Sequence, residues 1–155
     1  MRLPGGGGAR APGADVRPPR RDWDQREQLV DTPDAFEHLV EELAGQPCFA
    51  VDTETTSLNY IDARIVGLSF AITPERSAYL PLAHHYLGVP PQLDRDSVLS
   101  QIKPLLESES LKKIGQNLKY DANVLLNHGI TLRGIGDDTM LQSYLLASTA
   151  SRHDM

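Results

Sequence analysis

Cysteine occurs once in the 155 residues, as Cys48, so no disulfide can form within the chain. Such sparing use fits a reducing compartment such as the cytoplasm. Long apolar runs are missing too: no window approaches the roughly 18 consecutive residues that a membrane-spanning helix needs. The N-terminus carries arginines and glycines but no apolar h-region, which excludes a secretory signal. No G-x-x-x-x-G-K sequence is present, so the phosphate-cradling loop of that type is absent, and Gly5 to Gly8 belong to a tail. Aromatic residues make up only 6% of the chain. The formal charge of -6 is ordinary for a soluble protein and, taken alone, argues against a general nucleic-acid binder.

What is present is unevenly distributed. Residues 1–21 hold five Gly, four Pro and five Arg against a single acid, Asp15, for a net charge of +4. A Gly/Pro-rich segment with almost no apolar surface cannot offset its ordering entropy, so 1–21 reads as a disordered linker or tail. Its arginines could touch phosphate, but solvated low-complexity sequence is the simpler reading. The remaining residues, 22–155, carry 10 basic and 20 acidic groups and are numerous enough for a real core.

Thr32-Pro33 opens a helix, with Phe36, Leu39, Val40 and Leu43 as its apolar stripe and Gly45 at its end. Cys48 to Val51 predicts a strand buried on both faces, and the polar stretch Thr53 to Ala63 separates it from a second strand, Ile65 to Ile72. A turn at Pro74-Glu75 leads to a third strand, Ala78 to Leu80, paired in an antiparallel meander. After a loop over 83–93, Asp94 or Asp96 caps a helix that Pro104 should kink or end early. Leu111 to Ile114 predicts a strand, Asn117 a helix cap, Ile130 to Leu132 a short strand, and Asp138 the start of a last helix through Leu145. The order α-β-β-β-α-β-α-β-α describes an α/β domain with a mixed sheet flanked by helices.

Two features bear on chemistry. Asp52 and Glu54 sit at i and i+2 at the carboxyl end of a strand, so both carboxylates project from one face, where open α/β sheets place ligands. A cation between them would relieve their repulsion, and hard oxygen donors suit Mg²⁺ or Mn²⁺. Alone, a D-x-E fits a solvated acidic turn better. Asn117 and Asp121, in Gly115-Gln116-Asn117-Leu118-Lys119-Tyr120-Asp121, share one face of a helix near its N-terminus, where backbone N–H groups favour anions. The simpler alternative is an Asn cap with an Asp set against the helix dipole. His84-His85 lack a third ligand at metal spacing and read as loop residues beside a site; Cys48 reads as a small hydrophobe, and Lys112 and Lys113 as surface decoration.

Taken in one register, these segments resemble a known family. Val51 to Leu58, Val66 to Ile72, Ala83 to Leu87, Gly115 to Asp121, Asp138 to Leu141 and Ser151 to Met155 are similar to the 3′→5′ proofreading exonuclease domain of bacterial DNA polymerase I. The likeness runs from about Gln28 to Met155. It implies a ribonuclease H-like fold and a four-carboxylate exonuclease. Asp52, Glu54 and Asp121 match three of the four carboxylates, which hold two divalent cations, Mg²⁺ or Mn²⁺, around the terminal phosphodiester. Leu58 matches the apolar wedge against the terminal bases, and Thr55, Gln116, Asn117 and Tyr120 match positions around the 3′ end; Lys119, inside the same motif, is a candidate phosphate contact.

The family's third motif, a Tyr followed four residues later by an Asp, has no match, since no Y-x-x-x-D occurs in the chain. The expectation is therefore a fragment: a linker over 1–21, then a partial exonuclease domain over 22–155 that lacks its C-terminal helices. The polymerase domain of the parent chain would follow it and a 5′ nuclease domain would precede it. The implied partner is a single-stranded or frayed DNA 3′ end, with no membrane and a monomeric state. Two alternatives remain: an RNase D-like RNA exonuclease, and a non-catalytic nucleic-acid-binding or scaffold module.

Overall fold

Residues 27–139 are described in the computed structural model. They form β1 (Glu27–Leu29), α1 (Pro33–Ala44), β2 (Cys48–Thr55), β3 (Ile65–Thr73), β4 (Arg76–Pro81), α2 (Arg95–Leu106), β5 (Lys112–Gly115), α3 (Leu118–Asn127) and β6 (Ile135–Asp138). The tail over 1–21 and the last helix beyond Thr139 lie outside the described residues.

The six strands make one mixed sheet in the order β1-β4-β3-β2-β5-β6. β2, β3 and β4 form the expected antiparallel meander, while β1, β5 and β6 each run parallel to their neighbour. Alternation along the strands separates two faces. Phe49, Val51, Leu68, Phe70, Ala78 and Leu80 are buried, sharing one core with Phe36, Leu39 and Leu43 of α1, Val98, Ile102 and Leu106 of α2, and Leu118, Val124 and Leu125 of α3. Phe49 and Phe70 meet edge to face, their ring centroids 5.7 Å apart. The cross-strand register places Asp52 beside Ser69 and Glu54 beside Gly67 on the opposite face, with Tyr79 beside Ser69 on the next strand. Asp52 and Glu54 are exposed there.

Local chemistry sets the helix starts. Thr32 accepts a bond from the Ala35 N–H at 3.3 Å, with Pro33 in the first turn, and Asp94, not Asp96, accepts from the Ser97 N–H at 2.8 Å. Pro104 does not end α2 early: the helix continues to Leu106, because the proline occupies the last turn and fully buried Leu106 anchors the residues beyond it.

Other expectations change. β2 extends through Thr55, so the polar residues after Val51 are strand, held by pairing with β3 on one side. Phe49 and Val51 are buried while Cys48 and Ala50 are only half-buried, so β2 is covered on one face rather than two. Ile130 and Leu132 are buried by packing without pairing, and the strand forms instead at Ile135–Asp138. β1 has no counterpart in the sequence reading; three residues with exposed flanks give no period to detect. Lys113, expected on the surface, is fully buried and donates from Nζ to the Ser108 carbonyl at 2.7 Å. Burial lowers its pKa to about 8. No helix among the described residues is long and apolar enough to cross a membrane.

The turn into β6 depends on Gly134, with φ of +66°. A Cβ there would lie 2.6 Å from the Ser108 carbonyl oxygen and 2.7 Å from that of Leu111, both backbone atoms that cannot swing away. Gly134→Ala is expected to lower the unfolding free energy by about 1–3 kcal/mol, measured by urea denaturation; an unchanged midpoint would mean that the turn is not strained by a side chain.

Candidate active site

The two acids of β2 flank a residue that the sequence reading passed over. Thr53 points to the buried face, and a buried hydroxyl requires a partner. It finds Asp121 of α3: the Thr53 N–H and Oγ1 both donate to Asp121 Oδ1, at 3.0 and 2.6 Å. Asp121, 2% exposed, is thereby fastened to the strand between Asp52 and Glu54. The two halves of the candidate site, far apart in sequence, meet through this one carboxylate. The signal available in the sequence was the position of a hydroxyl residue between two acids on the inward phase of the strand.

The start of α3 departs from expectation. Asn117 occupies the cap position with φ of +59° and ψ of +46°, and its side chain makes no capping bond. The left-handed backbone, which Asn tolerates better than most residues, is its contribution. The cap is supplied by Asp138, at the end of β6: Oδ1 accepts from the Asn117 N–H at 3.0 Å and Oδ2 from the Leu118 N–H at 2.9 Å. Asp138 thus closes the strand and fixes the helix that carries Tyr120 and Asp121. A carboxylate at this end also opposes the positive helix terminus.

The loop after β2 is tied to α3 by hydroxyls. Tyr120 Oη lies 2.6 Å from Thr55 Oγ1 and donates to the Ser57 carbonyl at 2.6 Å, which also accepts from Thr55 Oγ1 at 2.9 Å. Leu58, immediately beyond, is 96% exposed. An apolar side chain held in water on a pinned loop is available for contact with a flat apolar surface. Gln116 lines a cavity of about 340 Å³ with Asp52, Ser69 and Gly115. Asn117 is half-buried and Lys119 exposed. His84 lies beside the site, its Nε2 3.8 Å from Glu54 Oε2, while His85 is exposed.

Negative charge is concentrated at this end of β2. Although Asp52 is exposed as a whole residue, its carboxyl is partly withdrawn from water, and this, then the neighbouring Glu54 carboxylate, raises its pKa. Burial also raises that of Asp121, with Asp52 adding to it and the two Thr53 bonds working against it. Both directions describe a place where negative charge is disfavoured. Donor chemistry fits Mg²⁺ or Mn²⁺, since Asp52, Glu54 and Asp121 offer only carboxylate oxygens. Among the described residues, no three or more His, Cys, Asp or Glu side chains are gathered closely enough to hold a metal ion by themselves.

Comparison with known proteins bears on the same segments. Residues 28–155 match a family model described as 3′-5′ exonuclease. The chain is 53% identical over 122 residues to the DNA polymerase I of Pseudomonas aeruginosa, which takes in 77% of this chain and 13% of that protein. It is 40% identical over 126 residues to the DNA polymerase I of Synechocystis, with 77% and 12% covered. The chain therefore spans about an eighth of the length of these curated relatives. Among solved structures, the POL domain of Pol1 from M. smegmatis, in complex with DNA primer-template and dNTP, superposes with a TM-score of 0.56 at 21% identity, covering 77% of this chain and 19% of that one. Trypanosoma brucei RNase D gives 0.56 at 18% identity, covering 72% and 37%. At these identities the structural matches speak to fold, which is ribonuclease H-like.

The raised pKa values have a worked sign. The folded chain binds protons at Asp52 and Asp121 more tightly than the unfolded chain does, so stability is highest below the raised values and falls as pH rises through them. With a chelator present, Asp52→Asn is expected to raise the thermal midpoint at neutral pH, and the gain should shrink on acidification. Mn²⁺ should raise the midpoint of the native chain more than that of the variant. A lower midpoint for Asp52→Asn in chelator would show that the site carries no charge strain.

Proposed function

The chain belongs to the 3′-5′ exonuclease family of DNA polymerase I, and from that membership we propose that residues 22–155 act in proofreading as a metal-dependent exonuclease domain. The reaction proposed is hydrolysis of the terminal phosphodiester at a DNA 3′ end, releasing a nucleoside 5′-monophosphate. The observation that carries this reading is the attachment of Asp121 to Thr53, which brings the acid of the second motif to the strand of the first.

Asp52, Glu54 and Asp121 are the proposed holders of two divalent cations. Bound there, such ions would lower the pKa of the attacking water and stabilise the departing 3′ oxygen. The remaining roles belong to the chain itself. Leu58 would stack against the terminal bases, a contact indifferent to sequence because every base has an apolar face. The Thr55–Tyr120 hydroxyl pair would hold the loop that presents Leu58. Gln116 and Asn117 would bind around the terminal nucleotide, and Lys119 would meet backbone phosphate. Selection against errors follows from fraying: a mismatched terminus costs less to unpair, so it reaches the site more often.

In this reading residues 1–21 are a linker, and the polymerase domain of a longer parent chain is the partner that hands over the 3′ end. Work on DNA would place the protein at the bacterial nucleoid.

The test is degradation of matched single-stranded DNA and RNA oligonucleotides labelled at the 5′ end. The expected result is stepwise loss of 3′ nucleotides from DNA, dependent on Mg²⁺ or Mn²⁺. Asp52→Ala should reduce it by more than about 100-fold, beyond what loss of a supporting group costs. Preference for RNA would transfer the chain to an RNase D-like role. Metal-dependent binding of DNA ends without release of nucleotides would make it a binding module.

A further inference from the structure

Glu54 is held by a residue two strands away on the same face of the sheet. Tyr79 lies on β4, opposite Ser69 of β3, whereas Glu54 lies on β2, opposite Gly67. The phenol therefore has to cross the middle strand diagonally to reach the carboxylate, and its hydroxyl donates to Glu54 Oε2 at 2.8 Å. The crossing is possible because Gly67 is bare: a Cβ there would lie 2.9 Å from Tyr79 Cε2 and from Cζ, and nearer still to the hydroxyl oxygen. His84 Nε2 is hydrogen-bonded to that hydroxyl. A phenol has one proton to give, and it goes to Glu54, so the imidazole donates and Nε2 carries its hydrogen. His84 is itself anchored by Gln92, whose side chain accepts from the His84 N–H at 2.9 Å and donates to the His84 carbonyl at 3.0 Å.

Tyr79 is half-buried on the open face, lining a cavity of about 430 Å³ with Glu27, Glu54, Ser69, His84 and Tyr86, where water could satisfy a phenol. Instead it donates to Oε2, and among the described residues no hydrogen bond to Oε1 is seen. Carboxylates that hold metals are commonly oriented by such a donor, which fixes one rotamer before the ion arrives.

We propose that Tyr79 is a positioning residue for Glu54, setting the carboxylate to receive a divalent cation, with His84 holding the phenol and Gly67 giving it room. The proposal rests on the reading of Glu54 as a metal ligand.

The test is Mn²⁺ binding by the 155-residue chain, followed by electron paramagnetic resonance of the free ion, in a double-mutant cycle. Tyr79→Phe removes one oxygen and is expected to weaken binding by roughly 10- to 100-fold. Glu54→Gln should weaken it as well, and adding Tyr79→Phe to Glu54→Gln should cost nothing further, since the phenol acts only through that carboxylate. Gly67→Ala, which displaces the phenol without touching its chemistry, should reproduce the Tyr79→Phe loss. If Glu54→Gln weakens binding while Tyr79→Phe binds as the native chain does, the positioning role is wrong and the ligand assignment stands. If Tyr79→Phe costs the same in both backgrounds, its effect is general to the fold and the proposal is again overturned. If Glu54→Gln binds Mn²⁺ as the native chain does, the ligand assignment falls and this proposal with it.

Discussion

The bonds from Thr53 to Asp121 join β2 to α3, and the rest of the site takes its geometry from them. A carboxylate 2% exposed would be costly without partners; here one oxygen accepts both a backbone N–H and a hydroxyl. The same contact fixes how far along β2 the helix begins, and so where Tyr120 meets Thr55 and the Ser57 carbonyl. Asp138 completes the arrangement from the other side by closing the N-terminus of α3. Two acids from two distant segments thus hold one helix in place, Asp121 inward against β2 and Asp138 at its cap.

The sheet divides its labour by face. One face is apolar and covered by helices, with Phe49, Val51, Leu68, Phe70 and Leu80 in the core. The other carries Asp52, Glu54, Ser69 and Tyr79 in adjacent strands. Because the core face is closely packed, the strands cannot shift register without moving every apolar residue to the wrong side. Asp52 and Glu54 on the open face are therefore held close together despite their repulsion, which adds to the effect of burial in raising the pKa of Asp52.

Much of this was legible beforehand. The amphipathic stripes of α1, α2 and α3 follow a helical period, and the Thr32 and Asp94 caps follow from side-chain chemistry. The meander follows from short apolar runs and the Pro74-Glu75 turn. What escaped reading shares one cause. β1 and β6 are three and four residues long and form because neighbouring strands offer open ladders, not because their own residues favour extension. Asn117 looks like a cap by composition, yet its cap is a carboxylate 21 residues away. Lys113 looks like a surface cation, yet the core closes over its stem and the Ser108 carbonyl takes its charge.

At the candidate site, residue type and local order determined which groups are available: two carboxylates on one strand face, a third in the first turn of a helix, an apolar residue on the loop between. That much follows from the chain because side-chain chemistry and strand alternation are local properties. The tertiary structure alone decided that Thr53 is the anchor for Asp121, that Asp138 caps α3, and that Tyr79 reaches Glu54 across a bare Gly67. Each of these contacts joins residues that only the packing of the sheet and its helices brings within hydrogen-bond reach, so no local period or propensity encodes them.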